Sequence, residues 1–353
     1  MKVAHVAPFA PNRCGLYEAA RDMARADVLG GHGVYFIDAG ITKNGKREKP
    51  QIGAVDDRAG FKLVTTGFQV LDDADIIIMH TGINDSYLVR NQTPLIWVVH
   101  GRPHACFKPE RQGKGNPYSL YRTVSNWQRT KGMLYFWREF QPDWEDIFNG
   151  KDIILPYPVI DETRFKNNST KRKLNNPGKI NILVCDSERE DIDLYNLTVG
   201  LIEVAKKYPD IKIHYYGLEM PGGKLPNCWN ILLGKLKKYG GLGDVAGRVA
   251  DMEQLYNAVD LVVSPNRIVT RTIGEALTCG TPVLSQNNPL NLVSDYTCDM
   301  SDPKDMIEAF EMFLTDRNNN TINRDNINKR AKVFNLKVYS DYMNEVYKKV
   351  ISG

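Results

Sequence analysis

Ala246-Gly247-Arg248-Val249 opens a stretch that continues through Met252-Glu253-Gln254-Leu255-Tyr256-Asn257-Ala258-Val259-Asp260-Leu261-Val262-Val263-Ser264-Pro265. It leads on to Thr270-Arg271-Thr272-Ile273-Gly274-Glu275-Ala276-Leu277-Thr278-Cys279-Gly280-Thr281-Pro282-Val283-Leu284-Ser285. Its patterning predicts a short helix over 252–258, a strand over 261–264, a helix over 270–279 and a strand over 282–284. Strands that alternate with helices at this spacing belong to a parallel sheet. A helix that starts near Thr270 just after a strand points its first backbone N–H groups at an anion. Thr270, Arg271 and Thr272 add two hydroxyls and a guanidinium there, a set suited to a pyrophosphate.

The same alternation runs outward in both directions. Toward the amino terminus, strands are expected at Val3–Ala7, Val34–Ile37, Phe61–Val64, Ile76–Met79, Leu95–Val99 and Ile153–Leu155. Each is a short run apolar on both faces, as in a parallel sheet covered on both sides. A helix from Leu16 to about Leu29 follows the first of them and stops at Gly30-Gly31. Residues 161–178 are polar, charged and turn-forming, which marks a linker. Beyond it the pattern restarts: strand 180–184, helix 192–207, strands 211–216 and 229–233, then the deciding stretch, and helical segments near 303–315, 324–334 and 338–350. The expected class is α/β, with two Rossmann-like halves.

Composition agrees. At 353 residues the chain exceeds what one hydrophobic core of about 250–300 residues supports, so two domains are expected. No apolar run approaches the ~20 residues of a membrane span. The first residues read as a strand and not as a signal peptide, so a cytoplasmic location is expected. The six cysteines show no C-x-x-C spacing and no histidine partners, which argues against a disulfide framework or a zinc site.

The deciding stretch resembles the donor-binding half of GT-B glycosyltransferases, in the large retaining family related to sucrose synthase and phosphatidylinositol mannosyltransferase. That family's pattern is a G-x-V strand end, an L-Y-x-x-A-D helix, a V-x-P-S strand end and then E-A-x-x-x-G-x-P-V. The resemblance implies two Rossmann-like domains facing across a cleft, a nucleoside-diphosphate sugar as substrate (UDP the commonest base), no cofactor and no metal. It gives Glu275 the ribose hydroxyls, and Gly247, Arg248 and Val249 the reading of the base. Two departures stand out. Where the family carries a second glutamate, eight positions before the first, this chain has Arg267, expected to act on phosphate or on an unusual sugar. Where the family places an arginine and a lysine, the chain has the net acidic Cys185-Asp186-Ser187-Glu188-Arg189-Glu190-Asp191. Leaving-group charge must still be stabilised. Arg189, Arg271, Arg267 and Arg13 are the cations expected to do so.

In the first half, the loop from Pro8 to Gly15 resembles the family's diphosphate-approaching loop, with Gly15 as the matching glycine. Strand 95–99 ends in His100-Gly101-Arg102, where many family members place a histidine against the donor sugar. This makes His100 the expected catalytic residue of that half, beside Arg267 in the other. Asp73-Ala74-Asp75 has D-x-D form but precedes its strand, which reads as polarity at a strand entry and not as a metal site. The resemblance further implies transfer with retention, by front-face attack with the departing phosphate oxygen taking the acceptor's proton.

Residues 102–138 hold eight cations against the single Glu110, an excess larger than the whole chain's net +4. Phe107, Tyr118, Tyr121, Trp127, Tyr135, Phe136 and Trp137 are interleaved. Cations for phosphates and rings for stacking suit nucleic acid. One expected acceptor is a hydroxymethylated base in DNA, flipped from the stack as by a phage-type enzyme. Arg102, His104, Arg122, Trp127 and Arg129 would contact it. The same composition suits an anionic lipid or glycan at a membrane surface, and a sugar-nucleotide epimerase or non-catalytic binder of this fold stays open. The segment 334–342 resembles the family's closing segment, where the last helix crosses back. The domains expected are therefore 1–160 with about 336–353 for the acceptor, a linker at 161–178, and 179–335 for the donor.

Overall fold

The structure is a computed structural model. It describes residues 1–7, 15–38, 42–43, 46–47, 62–64, 69–80, 92–100, 130–135, 152–155, 157–167, 170–186, 193–218, 227–247, 249–266, 268–287 and 293–352. The chain divides into two compact units, Met1–Asp161 with Phe334–Gly353, and Glu162–Val333.

The first unit is built on β1 (Lys2–Ala7), α1 (Gly15–Leu29), β2 (Gly33–Asp38), the small hairpin β3 (Thr42–Lys43) and β4 (Lys46–Arg47), β5 (Lys62–Val64), β6 (Ile76–Met79), β7 (Leu95–Val99), β8 (Thr130–Tyr135) and β9 (Asp152–Ile154). Apart from the hairpin these strands form one parallel sheet in the order β5-β2-β1-β6-β7-β8-β9. Val3, Ala4, Val6 and Ala7 of β1 and all four residues of β6 are buried, because both faces of the sheet are covered. Helix α1 ends in a left-handed turn at Gly31 (φ 81°), with Gly31 N–H on Val28 and His32 N–H on Asp27. This is the glycine stop legible in the sequence.

The second unit holds β10 (Ile180–Val184), α2 (Leu194–Lys207), β11 (Ile211–Tyr216), α3 (Asn227–Lys238), β12 (Leu242–Ala246), α4 (Met252–Ala258), β13 (Leu261–Ser264), α5 (Arg271–Thr278), β14 (Val283–Gln286), β15 (Tyr296–Cys298), α6 (Pro303–Asn318) and α7 (Arg324–Ala331). Its parallel sheet runs β12-β11-β10-β13-β14-β15. The last helix, α8 (Leu336–Ser352), belongs to the first unit and packs on α1 through Leu336, Tyr339, Met343 and Tyr347.

Three expectations are corrected. Residues 229–233, expected as a strand, lie in α3. Trp229, Leu232, Leu233 and Leu236 are buried at helical spacing, and the short apolar run hid that period. The half-exposed edge strand β12 follows it. Residues 161–178 are no free tether: Glu162 to Gly178 belong to the second unit. Arg172 N–H donates to the Gln254 carbonyl, Leu174 is buried, and the Asn175 and Asn176 amides donate to Asp244 at 3.0 and 2.9 Å. Tyr135, counted among the exposed stacking rings, is a core residue of β8.

Candidate functional site

In the second sheet the chain runs outward from β10 to β11 and β12, then returns to β13 on the other side. The carboxyl ends of β10 and β13 therefore flank a topological switch point, where open α/β sheets leave a crevice for ligands. Asp186, just past β10, is tied to the end of β13. Ser264 Oγ donates to Asp186 Oδ2 at 3.2 Å, and Asn266 Nδ2 donates to Oδ1 at 3.0 Å. All three side chains are buried, so the acidic residue that follows β10 pins the two strand ends together. Sequence reading missed this role, because nothing in the spacing of 186, 264 and 266 announces it.

The turn after β13 carries the chain into α5, with Thr270 in the extended conformation as its N-cap residue and no side chain capping the helix. The first turn of any helix leaves backbone N–H groups without intrahelical acceptors. Thr270 Oγ1 is itself buried and has no hydrogen-bond partner among the described residues. One turn in, Arg271 grips Glu275, with Nε and Nη2 on Oε1 at 3.1 and 2.8 Å, and the Tyr256 hydroxyl donates to Glu275 Oε2 at 3.0 Å. Arg271 thus serves the carboxylate in this structure, and the two residues form one unit. Cys185 lies against the Tyr256 hydroxyl at 3.7 Å. Burial, with Asp186 adding to it, pushes the Cys185 thiol well up, so it stays protonated and is no nucleophile. Helix α5 closes on a left-handed Gly280 (φ 75°), and the Thr281 hydroxyl then fastens to the Tyr256 carbonyl at 2.8 Å. The Gly-Thr-Pro of the sequence therefore locks α5 to α4. At the end of β12, the Gly217 N–H donates to the carbonyls of Ala246 and Gly247, and Val249 lies half-buried just beyond.

The first unit has its own switch point, between β1 and β6. Gly15 opens α1 there with open space around its Cα. His100, half-buried at the carboxyl end of β7, accepts or donates a hydrogen bond with His80 (Nε2 to Nδ1, 3.3 Å). Asp73 and Asp75 sit at the opposite, amino-terminal edge of the sheet. Asp73 takes Lys2 Nζ at 2.5 Å and the Tyr35 hydroxyl at 2.8 Å, and Asp75 takes the Lys2 N–H at 2.7 Å. They are strand-entry groups.

Arg13, Arg102, His104, Arg122, Trp127, Arg129, Arg189, Arg248 and Arg267 lie outside the described residues. Among the described residues no helix is long and apolar enough to cross a membrane.

No protein-family profile matches the chain, and no curated protein sequence matches it. Solved structures do. The chain is similar to HepE of Anabaena, solved in complex with UDP and glucose, at 13% identity and a TM-score of 0.70 over 98% of this chain and 99% of that one. It is similar to sucrose-phosphate synthase of Thermosynechococcus elongatus at 11% identity and a TM-score of 0.64, over 100% and 99% of the two chains. It is also similar to an alpha-glucosyltransferase in complex with UDP and a 13-mer DNA containing an HMU base, at 12% identity and a TM-score of 0.67, over the full length of both chains. The fold is that of the GT-B glycosyltransferases.

Proposed function

We propose that this chain is a glycosyltransferase that takes a sugar from a UDP-sugar. The observation that carries this reading is the construction at the carboxyl edge of the second sheet. An uncapped helix start at Thr270 and a buried Arg271–Glu275 pair stand at the switch point where nucleotides bind in such sheets. Solved proteins of the same fold and full-length coverage hold UDP. In this reading the second unit binds the donor. Thr270, Thr272 and the first N–H groups of α5 take the diphosphate, Glu275 takes the ribose, and Gly247 and Val249, with Arg248, take the base. Arg13, Arg189 and Arg267 complete the charge balance on the phosphates, and Gly15 is the glycine of the loop assigned to the diphosphate.

The first unit binds the acceptor, and His100 is the catalytic residue assigned to the donor sugar. Transfer proceeds with retention and without a metal. The departing phosphate oxygen takes the acceptor's proton, and the protein contributes position and electrostatics. The acceptor proposed is a hydroxymethylated base in DNA. The cation- and ring-rich stretch 102–138 supports it, as does the DNA-bound neighbour. An anionic lipid or glycan is the second reading, favoured by the same cations.

A thermal-shift screen of nucleotides and nucleotide-sugars, followed by mass spectrometry of products on hydroxymethylated DNA and on anionic lipid, tests the proposal. UDP and one UDP-sugar should raise the melting temperature, and one acceptor should gain a hexose or pentose in the presence of a chelator. Donor binding with neither hydrolysis nor transfer would make the chain a binder of the same fold.

A further inference from the structure

In the first unit a line of buried polar side chains that the proposed chemistry does not use leads to His100. Asp27 on α1 meets His5 on β1, with Oδ2 and Nε2 2.7 Å apart. His5 Nδ1 lies 3.0 Å from His80 Nε2, and His80 Nδ1 lies 3.3 Å from His100 Nε2. The line crosses three neighbouring strands, from within β1 to the ends of β6 and β7, and its first three members are at most 1% exposed. At the other end the Tyr347 hydroxyl of α8 donates to the same Asp27 oxygen at 2.8 Å. Tyr339 and Tyr347 are the other titratable groups beside Asp27, and burial pushes both phenols well up, so neither competes as an anion.

A neutral imidazole has one N–H and one lone pair, and the bond made at one nitrogen decides the role of the other. A carboxylate only accepts. Facing Asp27, His5 must carry its proton on Nε2, which leaves Nδ1 as an acceptor. His80 then donates from Nε2 and accepts at Nδ1, and His100 donates from Nε2. The direction set at the carboxylate passes through every ring.

We propose that Asp27, through His5 and His80, holds His100 as the tautomer with its proton on Nε2 and its lone pair on Nδ1, which makes Nδ1 the accepting nitrogen of that ring. The logic is that of the aspartate in a hydrolase triad, which fixes the tautomer of the histidine beside it, extended here by two rings. Burial, with His5 and His100 adding to it, holds His80 well below the ordinary histidine range, so the middle ring is neutral and can only relay the direction. A protonated His5 would run the line the other way and put the proton of His100 on Nδ1. Asp27, His5 and His80 are positioning residues. A role for that nitrogen toward substrate rests on the function proposed above; the tautomer does not.

Nitrogen-15 NMR of the histidine side chains in the full-length protein reads the state of each ring. The expected spectrum has a pyrrole-type Nε2 and a pyridine-type Nδ1 for His5, His80 and His100 near pH 7.5. A pyrrole-type Nδ1 on His100, or a charged His5, would overturn the proposal. Asp27→Ala should leave His100 as a mixture of tautomers, whereas Tyr347→Phe, which removes the other partner of Asp27, should not. A folded Asp27→Ala protein with an unchanged His100 spectrum would also overturn it. With an active transferase, Asp27→Ala should lower kcat about 10- to 100-fold with little change in donor KM. The expected spectrum in a protein without transferase activity would leave the tautomer standing and remove the function.

Discussion

Arg271 and Glu275, one turn apart on α5, form a two-pronged ion pair in which the carboxylate's other oxygen is held by Tyr256. The pair is largely buried, with side chains 13% and 11% exposed. Arg271 and Tyr256 thus hold the carboxylate in place, and in the proposed reading it meets the ribose hydroxyls from that position.

Glu275→Ala removes that anchor and the carboxylate that Arg271 grips. We expect UDP affinity to fall about 10- to 100-fold, the equivalent of losing one or two hydrogen bonds to a charged group. Calorimetric titration with UDP checks this, beside a melting curve that separates lost binding from lost folding. Unchanged affinity in a folded variant would remove Glu275 from the site.

Tyr256→Phe should act more weakly at the same place. It strips one donor from Glu275 and leaves the ring in its packing, so a stability loss of about 1 kcal/mol is expected. Urea unfolding measures it. Asp186→Ala should cost more, about 1–3 kcal/mol, because the buried Ser264 hydroxyl then loses its acceptor and Asn266 keeps only Ser264 Oγ.

Much of this was legible in the sequence. The alternation of short apolar strands with helices gave most of both sheets; β8 and β15 were not read as strands, because each is short and interrupted by polar residues or glycine. The Gly30-Gly31 stop marked one helix end, because a left-handed turn selects glycine, and Gly280 closes α5 in the same way. Glu275 and the Thr270 turn were visible because they sit inside a dense local pattern. The Asp186–Ser264–Asn266 tie and the Asp27–His5–His80–His100 line were not. Their members are far apart in sequence, and only the strand order β1-β6-β7 and β10-β13 brings them together. The strand expected at 229–233 failed because five apolar-rich residues do not distinguish a buried helix turn from a strand. The five expected acceptor residues lie outside the described residues; of the stretch's cations and rings the described part includes Lys131, exposed, and Tyr135, in the core.

Gly30 marks how closely α8 approaches the end of α1. A Cβ at Gly30 would stand 2.6 Å from Ser340 Oγ. Gly30→Ala should destabilise the protein by about 1–3 kcal/mol, and Ser340→Gly in the same chain should restore part of the loss. Thermal unfolding of the single and double variants decides it. Additive losses would mean that the two positions do not touch.

The pH dependence of stability should carry the signature of His80. Its folded pKa is held well below the ordinary 6.5 by burial, while in the unfolded chain it titrates near that value. The unfolded state therefore binds the extra proton first, and this contribution, complete above about pH 6.5, is lost as pH falls below it. Urea unfolding at several pH values should show a shallower fall for His80→Gln than for the parent. Equal slopes would show that His80 is protonated in the folded protein.

Cysteine reactivity should follow burial. Cys228 is exposed, whereas Cys279 and Cys298 are buried and Cys185 lies in the polar cluster. Burial pushes the Cys298 thiol up to about 12 and Cys185 well above its ordinary value. Maleimide labelling near pH 8 with peptide mapping should mark Cys228 first among these four. Equally fast labelling of Cys185 would contradict the proposed protonated, sheltered thiol.

The most direct test of where the nucleotide sits is hydrogen exchange measured by mass spectrometry with and without saturating UDP. Slowed exchange should centre on the amides from Thr270 to Glu275 and on the turn around Gly247–Val249. Protection confined to other segments, or none at a UDP concentration that saturates binding, would contradict the assignment of the donor site to the carboxyl edge of the second sheet.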